Sequence, residues 1–187
     1  MSSIVVNIDV ADFTGEGMEI VGTEDADRLM GTNDGELMDG RAGDDFVSGS
    51  DGNDFVIGGS GSDTLGGGDG NDTILGGIGD DAIFAFDGDD VVDAGAGNDT
   101  IYGNEGADII FGGEGEDTFV FKLEDFADGS IDTVADFELG EDKFMVKGLS
   151  ESDALLFDSA LGTISVNGEE VVRFEDVDTT GEDFEMF

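Results

Sequence analysis

From Gly22 to Val120 the chain places an apolar side chain at one fixed point in every nine residues, across eleven units without insertion. The units read GTEDADRLM, GTNDGELMD, GRAGDDFVS, GSDGNDFVI, GGSGSDTLG, GGDGNDTIL, GGIGDDAIF, AFDGDDVVD, AGAGNDTIY, GNEGADIIF and GGEGEDTFV. Position 8 is apolar in all eleven, from Leu29 to Phe119. A period of nine draws no stripe down a helix, which needs apolar residues three and four apart. It predicts six turn residues followed by a three-residue strand whose middle side chain alone is buried. A unit this short cannot bury that side chain by itself, so the units must stack.

The polar columns are equally regular. Position 6 is Asp in ten units and Glu36 in the other; position 4 is Gly in nine, with Asp25 and Asp34 in the first two. Glycine at position 4 fits a backbone with φ > 0, and Asp is among the few residues that tolerate that region. Acid held in one column is not a uniformly solvated surface. For the acids of positions 3 and 5 (Asp44, Asp51, Asp80, Asp87, Asp89), solvation is the better reading. An EF-hand is excluded, because DGDDVVD puts Val91 at a ligand place and no Glu follows at the required distance.

Composition narrows the chemistry. The 187 residues carry 48 acidic and 6 basic side chains, a net charge of −42. Nucleic acid and anionic membrane both need a basic surface, so neither is an expected partner. With no Cys and no His, thiol chemistry, soft-metal sites and His-based catalysis are closed. No apolar run approaches a membrane span, and MSSIVVNIDV lacks the basic start and apolar core of a cleaved signal peptide. Against disorder stand 38% hydrophobic residues and 15 phenylalanines. In GGDGNDTIL, Gly67, Gly68 and Gly70 make the backbone expensive to order while Asp69 and Asp72 add like charge. Something outside the sequence must supply the missing stability.

The units resemble G-G-x-G-x-D-x-U-x, the calcium-binding nonapeptide of RTX proteins, over 99 of the 187 residues (eleven units of nine). The resemblance implies an all-β fold, a right-handed parallel β-roll in which one coil takes two units and turns two units apart lie side by side. It also implies calcium, a hard ion that takes six to eight oxygens, between those turns. One turn would give the carbonyls of positions 2 and 4 and its position-6 carboxylate; the turn two units on would give the carbonyls of positions 1 and 3 and its own carboxylate. The carboxylates are then Asp27, Glu36, Asp45, Asp54, Asp63, Asp72, Asp81, Asp90, Asp99, Asp108 and Asp117. On one edge the carbonyls are Arg41 and Gly43 with Gly58 and Ser60, Gly59 and Gly61 with Gly76 and Ile78, Gly77 and Gly79 with Ala94 and Ala96, and Gly95 and Gly97 with Gly112 and Glu114. On the other they are Ser50 and Gly52 with Gly67 and Asp69, Gly68 and Gly70 with Ala85 and Asp87, and Phe86 and Gly88 with Gly103 and Glu105. Six turns on one edge and five on the other leave room for at most nine ions, so the loaded protein stays strongly anionic.

Residues 1–21 read as an N-terminal cap with IVVNI as a strand, and 121–187 as a C-terminal capping segment. Within it, GSIDTVADFELGEDKFMVKGL resembles the stretch that closes many RTX arrays, and TISVNGEEVVRF is a hairpin turning at Asn167-Gly168. The ending GEDFEMF is similar to the tails of type I secretion substrates, which implies export through that apparatus to an extracellular location. The expected function is a secreted, calcium-folded module of structural or interaction type, without enzymatic activity. No His-based zinc motif occurs, and no nucleophile elbow, since Gly59-Ser60-Gly61 falls in a calcium turn. The alternative is an accessory module of a secreted protease, lipase or alginate epimerase. An adhesin fragment and ice binding come after it, the latter opposed by the irregular position-2 column. On the even-unit sheet, the outward residues Leu37, Phe55, Ile57, Leu75, Val91, Ile109 and Phe111 form an apolar face. It is expected to be covered by 121–187 folding back, or by a second copy of the chain.

Overall fold

The computed structural model describes residues 18–150, 153–158 and 161–175. The expected strand IVVNI and the ending GEDFEMF lie outside the described residues. Two parallel sheets face each other. Strands β1 (Glu19–Val21), β3 (Leu37–Ala42), β5 (Phe55–Ser60), β7 (Thr73–Ile78), β9 (Val91–Ala96) and β11 (Ile109–Glu114) line up in one sheet. Strands β2 (Arg28–Met30), β4 (Phe46–Asp51), β6 (Thr64–Asp69), β8 (Ala82–Asp87), β10 (Thr100–Glu105) and β12 (Thr118–Lys122) form the other. Leu37 pairs with Phe55 and Thr64 with Ala82, a register of eighteen residues, so the chain crosses between the sheets once per unit. This is the all-β parallel β-roll that the repeat implies.

The strands are longer than expected. Each of β3 to β11 has six residues, covering positions 7 to 9 of one unit and 1 to 3 of the next. Position 1 drops out of the pairing: Gly40 has no partner between the Asp39↔Ile57 and Arg41↔Gly59 pairs. The chain bends there and turns a second column inward. Position 8 supplies the core (Met38, Val47, Val56, Leu65, Ile74, Ile83, Val92, Ile101, Ile110, Phe119), and position 1 supplies small buried residues such as Ala85 and Ala94. The interior is therefore one large side chain thick.

Beyond the repeats the sheets continue. Strand β13 (Asp132–Val134) pairs with β11, and β14 (Lys143–Lys147) pairs with β12, both parallel. A short 3₁₀ turn at Asp125–Asp128 fills the longer connection before β13. Strand β17 (Glu169–Phe174) then pairs with β13 and leads an antiparallel meander with β16 (Thr163–Val166) and β15 (Leu155–Asp158). Asn167 (φ 54°) and Gly168 (φ 91°) make the β16–β17 turn, both left-handed as a two-residue hairpin of this kind requires.

This placement corrects one expectation. Residues 121–175 extend the ends of the sheets and do not fold back over the even-unit face. Phe55 on that face is 6% exposed, and Ile57 and Phe111 are half-buried. Phe55 stands in register between Leu37 and Thr73 on the neighbouring strands. The face is narrower and drier than its composition suggests.

Candidate metal centre

The turns set the geometry. In units three to eleven both position 2 and position 4 have positive φ, from Arg41 (75°) and Gly43 (118°) to Gly113 (94°) and Gly115 (134°). The position-4 glycines follow the expectation; the left-handed position 2 does not, and it is adopted even by Arg41, Ser50, Phe86 and Asn104. Two such residues per turn swing the carbonyls of positions 2 and 4 along the stack toward the next coil. A Cβ on Gly68 would overlap the Ser50 carbonyl, and one on Gly70 the Gly52 carbonyl. From above, the position-3 carbonyl faces down, as Ser60 O accepts from Gly43 N–H at 2.9 Å and Asp69 O from Gly52 N–H at 2.8 Å.

Onto this frame the position-6 carboxylates form two columns. Each Oδ1 from Asp45 onward accepts the backbone N–H of the position-6 residue eighteen places earlier: Asp45 from Asp27 at 2.7 Å and Asp63 from Asp45 at 2.8 Å. The same bond recurs at 2.7 Å for Asp54→Asp72, Asp63→Asp81 and Asp72→Asp90. The other oxygen, Oδ2, is buried and has no hydrogen-bond partner in every unit from Asp45 to Asp117. These residues are at most 3% exposed. A charged oxygen in such a place is costly unless something pairs with it.

The electrostatics agree. Burial pushes the Asp72 carboxyl up to about 7, and the neighbouring Asp54 charge adds to it. Asp81 is raised to about 7 by burial, with Asp99 and Asp63 contributing, and Asp90 to about 9 by burial with Asp108 and Asp72. Asp54 and Asp117 rise to about 6 and Asp108 to about 7, burial again leading. Both causes disfavour the ionised form, and a cation between the turns would remove both.

The residues present fit calcium. A Cβ built on Gly40 would lie 2.5 Å from Asp45 Oδ2 and 2.6 Å from the Gly58 carbonyl; on Gly58 it would lie 2.5 Å from Asp63 Oδ2 and 2.7 Å from the Gly76 carbonyl. The carboxylate of one turn and the position-1 carbonyl two units on thus converge, in a space that glycine keeps clear. The donors are all oxygen, the set a hard divalent cation prefers. Among the described residues no three acidic side chains gather into a single cluster. Two carboxylates and backbone carbonyls are what each gap offers.

Several features depart from the sequence reading. Asp25 and Asp34, expected to share the left-handed conformation at position 4, do not have positive φ. Thr23 and Thr32 explain why: each hydroxyl accepts the N–H two residues on, from Asp25 at 3.2 Å and Asp34 at 3.3 Å, and tightens the turn. Position 5 is also more than a solvated surface. Asp44 Oδ1 accepts Ser62 N–H at 3.0 Å, Asp80 accepts Asn98 at 2.8 Å, and Asp89 accepts Ala107 at 3.0 Å, a second ladder outside the first. Sequence reasoning missed it because its acceptors are divided between Asp and Asn, with Ser62 and Ala107 joining only by their backbone N–H. It also missed Asp132 and Asp142, whose Oδ1 atoms accept from Asp108 and Asp117 N–H, each at 3.0 Å, across 24 and 25 residues.

Comparison with known proteins follows the same lines. The family model described as the RTX calcium-binding nonapeptide repeat (4 copies) matches residues 21–56, 30–65, 57–85, 66–100 and 84–119. No curated protein matches the chain. Among solved structures it is similar to the AlgE6R3 subunit of the Azotobacter vinelandii mannuronan C5-epimerase, solved in solution. That match has 18% identity, covers 91% of this chain and 90% of that one, and has a TM-score of 0.28, too low to carry an argument. The family matches run without a gap from 21 to 119, over more than half of the 187 residues. With its turns, its carboxylate columns and its nonapeptides in agreement, the chain belongs to the RTX calcium-binding nonapeptide repeat family.

Proposed function

We propose that this calcium-binding β-roll is a secreted protein that folds as calcium binds outside the cell and then serves as a structural or interaction module. The observation that carries the reading is the column of buried Oδ2 atoms from Asp45 to Asp117, with carboxyl groups pushed upward by burial and by each other. Strands about 4.8 Å apart bring these like charges together, so the ion-free roll opposes its own stacking. Calcium turns the same column into the element that holds the coils. In this reading the ligands are the position-6 carboxylates from Asp45 to Asp117, with the carbonyls of positions 2 and 4 below and 1 and 3 above.

An affinity on the order of 10⁻⁴ to 10⁻³ M suits an extracellular module. At cytoplasmic calcium the chain would stay unfolded and exportable, and it would fold on arrival. Export through a type I apparatus belongs to the same reading, supported by the resemblance of GEDFEMF to the tails of such substrates. Among the described residues no helix is long and apolar enough to cross a membrane.

Circular dichroism of the full chain with calcium and with chelator tests the folding step. The strand signal should be largely lost on chelation and return cooperatively with calcium. A signal unchanged by chelator would refute the proposal.

A further inference from the structure

The nonapeptides mark eleven turns, and the simplest expectation is that ion sites occupy the gaps between them. The two ends of the roll do not follow that rule. In the first unit, Asp27 Oδ2 accepts from Thr23 N–H at 2.6 Å and from the Thr23 hydroxyl at 2.8 Å, and the same hydroxyl lies 3.3 Å from the Asp25 carbonyl. The hydroxyl therefore stands between the position-4 carbonyl and the position-6 carboxylate, two of the groups assigned to an ion in later turns. In the second unit Thr32 does the same for Glu36, its N–H 2.9 Å from Oε2 and its hydroxyl 2.6 Å from Oε1. Neither turn has the left-handed residues at positions 2 and 4 that aim carbonyls at the next coil. Both carboxylates are already satisfied by their own units.

The C-terminal end differs between its two edges. Asp132 and Asp142 both make the bond to the preceding coil that each position-6 Asp from Asp45 onward makes, although the repeat has stopped. But Asp142 Oδ2 also accepts Glu138 N–H at 2.8 Å, the closure from four residues earlier that Thr23 N–H gives Asp27. Asn104 and Gly106 in unit ten, and Gly113 and Gly115 in unit eleven, keep the positive φ that turns their carbonyls toward that next coil. Asp108 and Asp117 are 1% and 0% exposed, and the Oδ2 of each is buried without a hydrogen-bond partner. One donor differs. A Cβ on Gly103 would meet Ile110 Cδ1 beside the Asp108 oxygen, and one on Gly112 would meet Phe119 Cζ, where inner units present a position-1 carbonyl.

We infer that the calcium column is displaced from the repeat: it begins at the third unit and, on one edge, runs past the last one to a site between Asp108 and Asp132. Threonine hydroxyls close its N-terminal end without an ion, and Glu138 N–H closes the other edge at Asp142. The site between Asp108 and Asp132, without the position-1 carbonyl, fills last. This rests on the calcium reading above and adds to it where the ions start and stop.

Calcium titration of the full chain by isothermal calorimetry tests the inference in two variants. Asp27→Asn with Glu36→Gln keeps the wild-type stoichiometry. Asp132→Asn lowers it by about one ion per chain, the one at the end of the column, and removes the weakest class of binding. Asparagine retains the Oδ1 acceptor, so the column bond survives at Asp132, and circular dichroism at saturating calcium checks that each variant folds. If Asp132→Asn does not fold, Asp132→Ser is read the same way, with the loss of about one ion. A reduced count in the Asp27/Glu36 variant, or unchanged count and affinities in the Asp132 variant, overturns the displacement while leaving calcium binding intact. A wild-type chain that takes up no calcium overturns both.

Discussion

The repeats and the segment that follows them share the same two sheets but are held together by different means. In units three to ten the inward position-8 side chains are all aliphatic, and the turns are lined with buried, unpartnered carboxylate oxygens. From Phe121 onward the aromatic rings gather: Phe121 and Phe144 stack at 5.1 Å, Phe144 meets Phe174 at 5.5 Å, and Phe174 meets Phe137 at 5.0 Å. Asp136 ties this end to the roll by accepting Gly112 and Gly113 N–H at 2.9 and 3.0 Å. The difference is one of solvent and charge. A nine-residue unit of glycine and aspartate has too little apolar surface to stack unaided, whereas the closing segment brings its own apolar mass.

On that contrast, pH acts on the repeats most strongly. Asp54, Asp72, Asp81, Asp90, Asp108 and Asp117 all have carboxyl groups raised from 3.8 to between about 6 and about 9. The folded form holds these protons more tightly than the unfolded chain does, so folding is favoured at acid pH and loses that support as pH rises through this range. Without calcium, the strand signal should therefore be larger near pH 5 than near pH 8. With calcium the dependence reverses, because protons compete for the same oxygens, and the calcium midpoint should rise as pH falls. Titrations at the two pH values check both signs.

The closing segment should instead be sensitive to packing. Phe144→Ala at saturating calcium is expected to cost about 3–5 kcal/mol, the usual range for emptying a buried aromatic site, measured by denaturant unfolding. Calcium in excess should not restore it, since the loss is apolar.

Backbone changes come next. Gly68→Ala puts a Cβ onto the Ser50 carbonyl at a residue with φ 127°, so it should lose more than the ~1 kcal/mol typical of glycine replacement and weaken calcium binding in the same gap. Ser50→Gly should act in the other direction, and by less. It relieves a left-handed serine (φ 88°), which is expected to stabilise the loaded form by about 1 kcal/mol or less. Thermal unfolding in calcium measures both.

Much of the fold was legible because a strict period leaves little freedom. The apolar column at position 8 called for stacked short strands, the position-4 glycines called for left-handed turns, and the Asp column called for carboxylates stacked from coil to coil. The left-handed position 2 was hidden by Arg41, Ser50, Phe86 and Asn104, which do not look like residues chosen for that conformation. The position-5 ladder was hidden because Asp and Asn side chains accept in it interchangeably, and Ser62 and Ala107 join it only by their backbone N–H. That the closing strands extend the sheets rather than fold back over the even-unit face was not legible, because composition carries no strand-pairing information.

What the sequence determined by itself is the repeating unit: its length, its turn chemistry, its inward residue and its acid column, all of which are local or separated by one constant spacing. What only the tertiary structure decided is where the column begins and ends. Thr23 and Thr32 satisfy carboxylates that look like all the others, and Asp132 and Asp142 join the column across connections of irregular length. A period describes how neighbouring coils bond, but at the ends there is no next unit, and the bonds go to whichever groups the fold brings within reach.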